Sequence, residues 1–262
     1  VTCVVLAETD GAMERDYDYT SSRDPDDLVK PSDVGETSAR RVLGRLGARK
    51  IKTTKAPVLY TAELARGFFG HAIGAIAGGA QYRRSSFLLG AVGDKIFPDF
   101  VNIQERPHLE KAMASAAYDA EGVATYDRDV VTDGVPRSYI LSSYSARRLG
   151  LETTANAGGA QNLIVPGSEY DKASLIKEMG TGLLVEELIG QGVNGVTGDY
   201  SRGAVGHCVE NGEIQYPVHA VTIAGNLRDL YPRIVAVGSD QDIRGGIRCG
   251  SVLVEEMTIA GS

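Results

Sequence analysis

Few side chains in this 262-residue chain could hold a metal or attack a substrate. They are four histidines (His71, His108, His207, His219) and three cysteines (Cys3, Cys208, Cys249). A helical zinc-peptidase site needs two histidines on one helix face and a carboxylate beside the first, which deprotonates the metal-bound water. His71 is followed by Ala72, with Ala75 and Ile76 four and five residues on and Gly67 and Arg66 at the same offsets behind it. The stretch offers one imidazole, no second helical ligand and no general base. A set drawn from His71, His207 and Cys249 stays open if folding brings them together. His108 follows Pro107 at an expected helix start and His219 falls near a strand end.

Other chemistries lack their motifs. Gly180–Val185 (GTGLLV) has two glycines of a dinucleotide fingerprint, but the third is missing and the order is helix, turn, strand. There is no GxxxxGK[ST] and no GxSxG, and Ser174 with Lys177 forms an isolated SxxK that reads as an exposed helix turn. The net charge of −7, from 27 basic and 34 acidic residues, repels phosphate backbones and argues against a direct nucleic-acid partner. No apolar run approaches the roughly 20 residues that span a bilayer. No secretory leader pattern is present, and three cysteines without a CxxC pair predict reduced thiols. The expectation is a cytoplasmic protein with no membrane contact. The first residue is Val1 and VTCVVL reads as a strand with no lead-in, which predicts the C-terminal part of a longer protein.

The elements that would position these residues follow from periodicity. Val1–Leu6 and Met13–Tyr19 read as a hairpin turning at Glu8–Gly11, and Thr20–Lys30 as a loop. Ser32 can cap a helix with Ala39, Val42, Leu43 and Leu46 on one face and Gly47 as its stop. Short strands are expected at Arg49–Thr53 and Val58–Tyr60, then a helix over Leu64–Ala77 with Thr61 as N-cap. Gly67, Gly70, Gly74 and Gly78 line one face of that helix, each costing about 1 kcal/mol relative to alanine. The stripe predicts that something packs close to the backbone there, either a strand or a bound peptide. Asp133-Gly134 joins strand-like Val123–Val131 and Val135–Leu141, and Asn211-Gly212 joins Ala204–Val209 and Glu213–Val218. Leu183–Ile189, Val221–Ile223, Ile234–Val237 and Val252–Ile259 are further strands, and Tyr170–Met179 a helix. Strands clustered with strands predict an α+β fold with mostly antiparallel sheet and a few packed helices.

Long segments carry a family resemblance. GFFGHAIGAIAGGAQYRRSSFL (Gly67–Leu88) is similar to the PmbA/TldE sequence at the place where TldD proteins carry HExxxH. SYSARRLGLETTANAGG (Ser143–Gly159), Glu178–Leu227, IVAVGSD (Ile234–Asp240) and IRCGSVLVEEMTIAG (Ile247–Gly261) also resemble that family, known as well as peptidase U62 and as modulators of DNA gyrase. The resemblance implies that residues 1–55 end an N-terminal α/β domain and that 56–262 form a β-rich C-terminal domain. It implies a TldD/TldE zinc metalloprotease complex that degrades or trims unfolded peptides. The zinc would belong to a TldD-type catalytic partner, held by two histidines and a downstream cysteine. Here the glutamate and second histidine are absent, and Cys249 lies where the partner has its cysteine ligand. The expectation is therefore a non-catalytic subunit with no catalytic residue and no cofactor of its own. It would bind peptide by strand addition through His71, Arg83, Arg84, Tyr200 and Arg202, the last two in a loop GDYSRG (Gly198–Gly203), and it could also homodimerise. Two alternatives stand beside this: an autonomous metallopeptidase with a reorganised metal site, and a structural dimerisation module.

Overall fold

The chain begins with a self-contained hairpin. In the computed structural model, which describes residues 1–261, Thr2–Thr9 (β1) and Ala12–Tyr19 (β2) pair antiparallel, with Thr2 opposite Tyr19 and Thr9 opposite Ala12. Asp10 and Gly11 form the turn with φ of 50° and 77°, the left-handed pair that a two-residue hairpin needs. The expected loop that follows carries one 3₁₀ turn at Pro25–Asp27. Helix α1 (Pro31–Arg45) then packs on the hairpin. Its start differs from the expectation: Pro31 opens the helix, because its missing N–H costs nothing there, and Ser32 lies inside it. Its buried face is Val34, Ser38, Val42 and Arg45, while Leu43 is exposed. The helix is rotated so that the Arg45 guanidinium meets Asp16, 2.7 Å away, and Glu187.

The remaining elements are β3 (Thr54–Tyr60), α2 (Ala62–Ala75), α3 (Gly78–Tyr82), β4 (Ile103–Glu105), β5 (Arg128–Thr132), β6 (Val135–Pro136), α4 (Ser143–Leu149), β7 (Leu163–Ile164), α5 (Lys172–Met179), β8 (Gly182–Ile189), β9 (Asp199–Glu210), β10 (Glu213–Asn226), α6 (Leu227–Leu230), β11 (Ile234–Val237), β12 (Ile247–Arg248) and β13 (Val252–Ala260). The fold is α+β and its sheets are mostly antiparallel. One sheet runs β10-β9-β8-β3-β13-β11, and Thr222–Ala224 of β10 also pair with Thr258–Ala260 of β13. That second pairing closes five strands into a small barrel, leaving β11 as a flap on β13. The β3–β8 contact is the barrel's parallel joint. A second sheet runs β12-β7-β4-β5-β6.

The burial pattern explains the continuous apolar runs in the middle of the barrel. Val58 and Tyr60 of β3, Leu183 and Val185 of β8, and Val252 and Val254 of β13 face the main core. The alternate residues Leu59, Leu184 and Leu253 face a second core, which α5 covers with Leu175, Ile176 and Met179. Strands buried on both faces lose polar alternation.

Some predicted elements shrink or vanish. Arg49–Thr53 is not a strand; Arg49 makes a single bridge to Val218 before β3 begins at Thr54. Asp133-Gly134 does turn a hairpin, but β5 and β6 are shorter than expected. The backbone of Ile96 and Phe97 donates to the Gly134 carbonyl, at 3.0 and 3.1 Å, and so takes over the pairing. Asn211-Gly212 turns β9 into β10 with φ of 54° and 75°, as its sequence implies. Among the described residues, no helix is long and apolar enough to cross a membrane.

Candidate functional site

Helix α2 lies against the barrel with Ala65, Phe68, Phe69, Ala72 and Ala75 buried. Phe68 anchors an aromatic cluster: its ring centroid is 5.4 Å from Tyr60, 6.3 Å from Tyr200 and 5.1 Å from Tyr231. The Tyr231 hydroxyl donates to the Phe68 carbonyl at 3.0 Å. His71 is half-buried at the edge of this cluster, its ring meeting Tyr200 edge-on at 6.2 Å. Burial, and then the nearby positive charge of Arg202, hold the His71 imidazole below its usual pKa and hence neutral at pH 7.

The segment Asp199–Gly203 is not loop, as expected, but the first part of β9. Gly198, at φ 84°, ends the preceding turn, and alternation then sends Tyr200 into the core at 2% exposure. Arg202 remains half-buried. Its Nη2 reaches the Leu188 carbonyl at 3.5 Å, and its buried Nε has no partner among the described residues. His71, Tyr200 and Arg202 are thus brought together. Arg83 and Arg84 stand instead on the exposed end of α3, with Arg83 donating to the Tyr82 hydroxyl at 3.0 Å.

These residues do not fit a zinc ion. Among the described residues, no three His, Cys, Asp or Glu side chains converge. The Cys249 thiol is fully buried, 3.9 Å from the Ala62 carbonyl at the first turn of α2. His71 is nine residues further along, about 13 Å at 1.5 Å per residue. Burial also pushes the Cys249 thiol up to about 12, far from the thiolate that metals bind. His207, the third member of the set left open by the sequence, is used elsewhere. Its Nδ1 is 2.9 Å from Glu186 and its Nε2 is 3.1 Å from the Gly44 carbonyl at the end of α1.

The predicted glycine stripe is not uniformly covered, and its last member, Gly78, begins α3 rather than lying on α2. An added Cβ at Gly78 would lie 2.4 Å from Ser145 Oγ, so that glycine does permit a close approach, with α4. Among the described residues outside the helix's own backbone, it would meet nothing within 4 Å at Gly67 and Gly74, and at Gly70 only Ile247 Cδ1 at 3.6 Å. The predicted tight packing is absent along most of the stripe. Gly67 and Gly70 border an open groove of about 470 Å³ that Gly245–Ile247, Arg66 and Leu163 also line.

The Glu186–His207 pair was not legible in the sequence. Glu186 is the extra residue of a bulge between Val185/Gly206 and Glu187/Val205, and strand register alone aims it at His207. A larger cavity of about 690 Å³ lies beside this pair, lined by charged residues that include Arg41, Lys172, Asp242 and Arg244.

Comparison with known proteins gives a consistent relationship. Residues 53–261 match the PmbA/TldA metallopeptidase C-terminal domain. Metalloprotease PmbA of Escherichia coli O157:H7 is 55% identical over 257 residues, covering 98% of this chain and 57% of that protein. A solved structure from Bacteroides thetaiotaomicron, named as a modulator of DNA gyrase, superposes with a TM-score of 0.94 at 29% identity, covering 100% of this chain and 59% of its own. TldE from Thermococcus kodakarensis shares the fold with a TM-score of 0.87 at 20% identity, covering 99% of this chain and 62% of its own. The chain spans less than two thirds of the length of each of these relatives. On the extent of the domain match and the identity to PmbA, the chain belongs to the PmbA/TldD metallopeptidase family.

Proposed function

We propose that this chain acts as a PmbA/TldE-type subunit that holds peptide beside the zinc of a TldD-type catalytic partner and does not itself cleave peptide. The observation that carries this reading is the isolation of His71. Its ring is packed against Tyr200 and held neutral by burial and by Arg202. The Cys249 thiol stands at the other end of α2, and among the described residues no carboxylate is hydrogen-bonded to His71 to activate water. A neutral imidazole, a half-buried guanidinium and a glycine-faced groove suit recognition of an extended backbone, which offers carbonyls to donors and needs close approach. The cytoplasm is the compartment we assign, since one thiol is buried and unpaired and the other two are free.

The test is co-expression with an HExxxH-bearing homologue, followed by co-purification and a peptidase assay with and without zinc. The expected result is a complex whose zinc-dependent cleavage needs both chains. Zinc-dependent cleavage by this protein alone, abolished by His71→Ala, would overturn the proposal. An assembled complex whose activity is indifferent to Arg202→Ala and to a bulky residue at Gly67 would reduce the chain to a dimerisation module.

A further inference from the structure

We infer that the exposed junction of α3 and α4 is a docking surface for an acidic polypeptide segment, with paired carboxylates gripped by Arg83 and Arg148, whose guanidinium groups both lie over the Tyr82 ring. The junction is held together by small residues. Gly78 lets α3 lie directly on Ser145 and Leu141, where a Cβ would stand 2.4 and 2.7 Å from their side chains. Ser142 caps α4, and its side chain and that of Ser145 form a reciprocal capping box. This pairing sets the Tyr82 and Tyr144 rings edge to face at 5.8 Å.

On that aromatic base the arginines are placed rather than loose. The Arg83 guanidinium folds back over the Tyr82 ring at 5.2 Å and donates to its hydroxyl. It occupies space above Gly79, where a Cβ would lie 3.2 Å from Nη2. The Arg148 guanidinium approaches the same ring at 5.7 Å. Arg147 shares the α4 face with Tyr144 by its three-residue spacing, and Arg84 adjoins Arg83 in sequence. All four arginines are exposed. Among the described residues, none of them forms a salt bridge. A favourable position at a helix end accounts for the charge of Arg147 and Arg148. It does not account for a guanidinium laid across Gly79 and Tyr82.

A guanidinium over a ring keeps the N–H groups it has not otherwise committed, which for Arg83 excludes only the Nη1 donation to Tyr82, and those groups match a carboxylate in bidentate geometry. Two such groups close to one ring fit two carboxylates on one extended segment. Four unpaired cations on a chain of net charge −7 also oppose the field that this molecule presents elsewhere, which favours a short acidic segment over a long phosphate polymer. The patch shares no residue with the His71, Tyr200 and Arg202 cluster.

The experiment is fluorescence anisotropy of a labelled hexaglutamate-containing peptide with the purified protein at low salt. A glutamine counterpart and a labelled single-stranded oligonucleotide serve as comparators. The acidic peptide should bind at least tenfold tighter than the neutral one. The double variant R83E/R148E should abolish the difference, R83K/R148K should lose several-fold, and K50E should leave binding unchanged. Unaltered thermal melting of the variants separates lost binding from lost fold. Equal binding of acidic and neutral peptides, indifference to R83E/R148E, or tighter oligonucleotide binding through the same arginines would each overturn the inference.

Discussion

His207 Nδ1 lies 2.9 Å from Glu186 Oε2, while its other ring nitrogen faces the Gly44 carbonyl. Both neighbours are acceptors, so only the imidazolium, with two N–H groups, satisfies both. The hydrogen bond to Glu186 raises the His207 pKa against burial and against the charge of Arg45. Burial would raise Glu186, but the bond and charge of His207 outweigh it and hold the carboxyl low, with Lys172 and Arg45 adding to this. A raised histidine stabilises fully below its usual value of about 6.5 and loses that contribution as pH rises through its folded value. A depressed glutamate stabilises above its usual value of about 4.3 and loses that as pH falls through its folded value. The pair should therefore contribute most between those two reference values. His207→Gln should cost about 1 kcal/mol there and progressively less in alkaline solution. Urea melts across pH 4.5 to 9, with NMR titration of the His207 ring, would show it; a pH-independent difference would refute it.

Gly67 and Gly74 predict a split between stability and function. Among the described residues, nothing beyond the helix's own backbone lies within 4 Å of an added Cβ at either site, so alanine should stabilise α2 by about 0.5–1 kcal/mol each. If the groove receives peptide, Gly67→Ala, which enters it, should also weaken partner-dependent cleavage several-fold, whereas Gly74→Ala, outside it, should not. Gly206→Ala should behave oppositely, because its Cβ would fall 1.8 Å from the Leu184 carbonyl. Thermal melts and the two-chain peptidase assay distinguish these behaviours.

The contrast shows what the sequence could reveal. The hairpin turns Asp10-Gly11 and Asn211-Gly212 were legible because a local backbone requirement selects those residues. Helix α2 was legible from its apolar period, ending two residues before the predicted Ala77. Barrel closure through Thr222–Ala224 and Thr258–Ala260 was not, because no local pattern encodes which distant edges meet. The same limit hid the Glu186–His207 pair, which depends on a bulge one residue long. It also led to a loop at Gly198–Gly203, where polar composition outweighed a strand set by tertiary pairing. The grouping of His71, Tyr200 and Arg202 came from resemblance rather than from pattern.

Glu105 should be a critical residue for the second sheet. At 2% exposure it accepts 2.7 Å hydrogen bonds from Arg128 Nε, Asn156 Nδ2 and the Gln161 backbone. Arg128 also binds Ser138 and Asn156, tying β4 and β5 to the following loop. Glu105→Ala would leave a buried guanidinium without its counter-charge, at a cost of about 3–5 kcal/mol. Urea denaturation should show that loss, whereas Lys95→Ala, which removes an exposed pair with Asp99, should change stability by less than about 0.5 kcal/mol.

The three cysteines should differ sharply in reactivity. Cys249 is fully buried and its thiol is pushed up to about 12 by burial, with the Asp242 charge adding to this. Cys3 and Cys208 are partly exposed. Thiolate, not thiol, attacks disulfide reagents, so native protein should titrate two thiols quickly at pH 8 and yield the third only on denaturation. Added zinc should not alter that count, because the Cys249 thiol faces the Ala62 carbonyl and lies about 13 Å along α2 from His71. If zinc instead protected one thiol in the native protein and His71→Ala removed the protection, a reorganised metal site would exist and the assignment of cleavage to a partner would fail.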